Sequence, residues 1–109
     1  FAFAAGLQEM LLQSHAGYID VMPAVPSSWK NISFKQLRAE GAFLISASKK
    51  NGKIININIK SEKGGITTIK LPAGRISKSL VGKITVLKEK DGMLTAKFEA
   101  GAELILTSN

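Results

Sequence analysis

The chain has 109 residues, 45% apolar and 21% charged, with a formal net charge of +7 and no cysteine. That length allows one domain with one hydrophobic core, and the balance is globular rather than disordered. No apolar run approaches the roughly 18 residues of a membrane-spanning helix, and disulfides and thiolate metal sites are excluded outright.

The positive charge comes from thirteen Lys and only two Arg, Arg38 and Arg75. Nucleic-acid modules use Arg forks and stacked aromatics. Here the lysines are spread through the chain, among them Lys49, Lys50, Lys53, Lys60, Lys63 and Lys70. They read as a solvated face that also discourages edge-to-edge pairing, so no nucleic-acid partner and no membrane partner is expected.

At the N-terminus, Phe3, Leu7, Met10, Leu11 and Ser14 follow a 3.6-residue period, predicting a helix over residues 4–14. Gly17 suits a left-handed stop. The apolar stripe is wide for so short a helix, which needs a partner surface to be stable. The chain starts at Phe1 without Met and without the basic leader of a signal peptide, so it reads as part of a longer or processed polypeptide. Tyr18-Ile-Asp-Val-Met-Pro-Ala-Val-Pro26 is then an extended connector, because Pro23 and Pro26 keep their predecessors out of the α region. Trp29 follows in a turn as the largest anchor.

Beyond Ser33 the period changes to two. Strands are predicted over residues 34–39, 43–50 and 53–61, the last two joined by Asn51-Gly52, the strongest hairpin signal in the chain. In the return strand Ile55, Ile57 and Ile59 are expected to face inward and Ile54 outward. Further strands over residues 66–71, 76–81, 84–90, 93–99 and 102–107 are separated by Gly-rich turns, with Asp91-Gly92 as a second hairpin and Leu94, Ala96 and Phe98 as an inner row. The expected architecture is mainly β: an antiparallel two-sheet sandwich preceded by one helix and a Pro-rich connector.

The residues offer little chemistry. His15 is the single histidine and cannot assemble a zinc site; at a helix end it would complement the dipole. No Gly-x-Ser-x-Gly elbow presents a nucleophile, and Gly64-Gly65 opens no phosphate-binding helix. The acids, Glu9, Asp20, Glu40, Glu62, Glu89, Asp91, Glu99 and Glu103, fall mostly in turns or on outward strand positions rather than as a facing pair. Tyr18 and Trp29 could stack on sugar, though two isolated aromatics are more often packing anchors. No cofactor, metal ligand or catalytic residue is assigned. His15, Tyr18 and Trp29 stand as candidate sugar- or interface-contacting residues.

Glu9-Met-Leu-Leu-Gln-Ser-His15, then Gly17-Tyr-Ile19, Pro23-Ala-Val-Pro26 and Trp29, resemble the end of the catalytic barrel in family 95 glycoside hydrolases. The likeness continues through Leu37-Arg-Ala39, Gly41, Phe43, Asn51-Gly52 and Lys60-Ser-Glu-Lys-Gly-Gly65. Glu40 stands where that family usually has a basic residue, Ala42 where Gly is common and Leu44 where an acid is common. The resemblance implies an α-L-fucosidase-like parent with an (α/α)6 barrel and a C-terminal β-domain, outside the cytoplasm. It implies that residues 1–32 are the barrel's last helix plus connector and residues 33–109 the β-domain. Phe1 would end an Asp-Gly-Asn-Phe type motif whose acid precedes this chain. The expected role is a non-catalytic domain packing on the barrel, with a homodimer through the N-terminal helix as a further partner. The alternatives are a small carbohydrate-binding or self-associating sandwich and, least favoured, an independent enzyme.

Overall fold

A computed structural model of the protein describes residues 10–14, 17–23 and 25–108. Ten strands occur in chain order: β1 (Leu12–Gln13), β2 (Asp20–Val21), β3 (Ile32–Ala39), β4 (Phe43–Lys50), β5 (Lys53–Ser61), β6 (Gly65–Lys70), β7 (Ile76–Val81), β8 (Ile84–Lys90), β9 (Met93–Phe98) and β10 (Glu103–Ser108). They form a five-stranded sheet, β3-β4-β5-β10-β7, a three-stranded sheet, β6-β9-β8, and the small ribbon β1-β2. Every strand pairing is antiparallel; Ile19 adds one parallel bridge to Ile69.

The alternation in the sequence sets this arrangement. Ile45, Ile57, Ile59, Leu104 and Leu106 from the large sheet are buried in one cluster with Ile69, Leu94, Ala96 and Phe98 from the small one. The rings of Phe43 and Phe98 meet edge-to-face across the layers, 5.2 Å apart and inclined at 74°. This is the geometry favoured by the ring quadrupoles. Both hairpins form as the turn residues dictate: Asn51 and Gly52 have φ of 52° and 79°, Asp91 and Gly92 55° and 75°. Two consecutive positive φ values are the requirement of a type I′ turn. Ser61, a buried polar residue, is satisfied: its Oγ accepts from Gly64 N at 2.7 Å, and its backbone pairs with Gly101 and Ala102.

Three expectations need correction. Most of the predicted helix, residues 4–9, lies outside the described residues, and no helix element occurs among those described. Its predicted end is not helical: Met10 and Leu11 have helical backbone, but Leu12 and Gln13 are extended and pair with Val21 and Asp20. The apolar spacing there serves the core, since Leu11 and Leu12 are both buried. Second, this ribbon makes the sheets three rather than two. Third, Ile54 and Ile55 exchange roles. The β4–β5 register shifts between Ser48 and Lys49, so that Ile54 opposes Lys49 and packs on the core. A bulge inserts one residue and inverts the face of everything beyond it.

Candidate functional site

The connector fixes where the candidate residues lie. Ile19 N donates to Thr68 O at 2.8 Å and Lys70 N donates to Ile19 O at 2.9 Å, so the connector runs along β6. Ile19, Val21 and Met22 bury their side chains in the core, which leaves Tyr18 half-buried at one end of the sandwich. There a cleft of about 310 Å³ is lined by Ser14, Tyr18, Glu40, Gly41, Ile66 and Thr68, among others. Glu40 N donates to Ser14 Oγ at 3.1 Å, and the hydroxyls of Thr68 and Thr95 share a hydrogen bond of 2.7 Å. Ile66, exposed over 60% of its surface, stands at the edge of this cleft.

Trp29 lies at the other end. Its N donates to Pro26 O at 2.9 Å in a tight turn, and Lys30 O then accepts from Gly52 N at 3.0 Å. Asn31 Oδ1 accepts from Asn51 N at 3.0 Å, fastening the segment to the hairpin tip. The full length of β4, eight residues, separates Gly41 from that tip. At about 3.3 Å per residue this is roughly 25 Å. Tyr18 and Trp29 are therefore not brought together, and they offer no joint stacking platform. His15 lies outside the described residues.

Several carboxylates have structural partners. Arg38 and Glu62 form an ion pair of 2.5 Å between partly exposed side chains, and Lys78 meets Glu89 at 2.7 Å. Glu103 accepts from the amide of Asn58. Glu40 is the acid lining the Tyr18 cleft. A groove beside the second hairpin is lined by Glu89 and Asp91, but Glu89 is held by Lys78 and Asp91 is the left-handed turn residue. Glycoside hydrolysis needs two carboxyl groups aimed at one bond from opposite sides of a sugar. Among the described residues, no group of three or more His, Cys, Asp or Glu could hold a metal ion.

The family model for the glycoside hydrolase family 95 C-terminal domain matches residues 13–106, nearly the whole of this β structure. The chain belongs to that family. No curated protein matches it. The matched residues take in the connector as well as the sandwich, and the side chains of Ile19 and Val21 in that connector are buried. Ala42, at the position where the resemblance leads one to expect Gly, has φ of 62°, a left-handed backbone that Gly adopts freely.

Sequence reasoning missed one grouping. Gly52 N donating to Lys30 O brings Lys30, with Trp29 before it in the chain, to the hairpin that carries Lys49, Lys50 and Lys53, a grouping that the scattered lysines of the sequence do not suggest. The usable signal was the pair of lysines on one side of Asn51-Gly52 and the single one on the other. The approach of Lys30 depends on the long-range contact with Gly52.

Proposed function

We propose that this chain is the non-catalytic C-terminal β-domain of an α-L-fucosidase-like glycoside hydrolase, and that it packs on and stabilises the (α/α)6 barrel of its parent. The family match over residues 13–106 carries the reading. Residues 1–32 would supply the end of the barrel and the connector, residues 33–109 the sandwich. The docking face would be the end bearing Ser14, Tyr18, Glu40 and Ile66. The chain enters the sandwich there, and Ile66 presents exposed apolar surface beside a polar cleft. An apolar residue rimmed by hydrogen-bonding groups is the usual makeup of an interdomain contact.

The parent enzyme and the isolated chain provide the test. The parent should hydrolyse a nitrophenyl α-L-fucoside, and the purified 109-residue chain should not. In the parent, Ile66→Glu should lower the melting temperature by several degrees, since about 1–2 kcal/mol of interface burial is lost. The pH profile of hydrolysis should stay in place. Turnover by the isolated chain would sink the proposal.

A further inference from the structure

The hairpin end of the sandwich, remote from the proposed docking face, combines three features that neither the fold nor the accessory role requires. The first is Trp29, the single tryptophan of the chain, 41% exposed and held by backbone hydrogen bonds on both sides of the turn. The second is the cation cluster of Lys30, Lys49, Lys50 and Lys53. None of their ammonium groups has an ion-pair or hydrogen-bond partner among the described residues. The third is a groove of about 260 Å³ lined by Met22, Lys49, Gly52, Lys53, Ile54 and Pro72, which sets two lysines beside apolar side chains. Among the described residues no acid lines this groove, although Asp20 lines the adjoining cleft that shares Met22, Ile54 and Pro72 with it.

Lys49 continues the inward row of Phe43, Ile45 and Ala47 along β4. It opposes Ile32 on one side and Ile54 on the other, so it belongs to the inward row and emerges where that row reaches the open end. A lysine at the end of an apolar row covers it with its methylene stem and keeps the ammonium in water. Four like charges around one hairpin repel one another, and an anion relieves that repulsion.

We propose that this end is a binding site for an anionic polysaccharide, one carrying carboxylate or sulfate groups on pyranose rings. The indole of Trp29 would stack on the C–H face of one ring, and the lysines would pair with the acidic groups of that ring and its neighbours. A negatively charged chain of sugars matches both features, the flat apolar face and the spaced point charges. Single-stranded nucleic acid fits less well, because its recognition uses several successive aromatics and Trp29 is alone. The site goes beyond the accessory role and does not depend on it.

Because Trp29 is the sole indole, its emission reports on this site directly. Titration of the 109-residue chain with polygalacturonate at low salt should shift Trp29 emission, and neutral dextran should leave it unchanged. Raising the salt should weaken binding by about tenfold or more, as for any contact that releases counterions. The double variant Lys49→Gln/Lys53→Gln should weaken binding about tenfold, from two lost ion pairs of about 0.7 kcal/mol each. Lys88→Gln/Lys90→Gln, on another strand, should retain binding within about twofold. Far-UV circular dichroism establishes that each variant is folded. Three results would overturn the site: emission unmoved by polygalacturonate, equal loss in both double variants, or tighter binding of oligothymidylate than of polygalacturonate.

Discussion

Single residues here are governed by backbone conformation as much as by burial. Ala42 has a φ of 62° in the turn that returns β3 to β4, and its carbonyl accepts from Glu62 N at 3.0 Å. A Cβ in the left-handed region costs about 1–2 kcal/mol, part of which is offset by the smaller entropy of an unfolded Ala relative to Gly. Ala42→Gly should therefore raise stability by about 0.5–1 kcal/mol, read as a higher urea midpoint at unchanged slope. A lower midpoint would mean that the methyl group makes packing contacts worth more than the strain. Both hairpin turns were legible at this scale because Asn, Asp and Gly each tolerate positive φ on their own. The strain at Ala42 was not legible, since nothing in an isolated Ala signals a left-handed turn.

Among the elements, the strands followed the two-residue alternation wherever it ran unbroken, as in Phe43–Lys50 and Met93–Phe98. Alternation failed at the bulges. Between Ser48 and Lys49 the register shifts, which turns Ile54 toward the core in place of Ile55. Two adjacent isoleucines give no preference between the faces, and only pairing with β4 decides. Ile54→Ser should consequently cost about 1 kcal/mol more than Ile55→Ser in equilibrium denaturation, because it removes apolar area from the core. Equal costs would show that the bulge does not set the inward row. The helix expected over residues 4–14 shows the same ambiguity. Leu11 and Leu12 satisfy a helical period, yet both serve the core from a segment that turns extended at Leu12. Short apolar spacings fit either period, and long-range packing selects one.

Across the whole molecule, the two open sides of the sandwich are treated differently. On one side the N-terminal segment lies between the layers, β1 against β3 and β2 against β6, with Leu12, Ile19 and Val21 buried. On the other, β7 and β8 leave the interior open. Leu80 shares the face of buried Leu104, and Val86 that of buried Ala96, yet they remain 46% and 41% exposed. Lys78 and Glu89 bridge that mouth. Ile19→Ala should cost about 2–4 kcal/mol, whereas Leu80→Ala should cost about 1 kcal/mol or less, measured by denaturant midpoints. Similar costs would contradict the asymmetry.

By itself the sequence determined the β character, the position of both hairpins, the inner row of β9 and the membership in a glycoside hydrolase family. These rest on local rules: alternation, turn φ values and the spacing of short motifs. Tertiary structure alone decided that the connector fills one side of the core, that Tyr18 and Trp29 stand at opposite ends, and that Lys30 joins the lysines of the first hairpin. Each of these depends on hydrogen bonds between residues far apart in the chain, such as Ile19 with Thr68 and Lys30 with Gly52. Local propensity carries no term for such contacts, because their free energy exists only once both partners have been brought together by the fold.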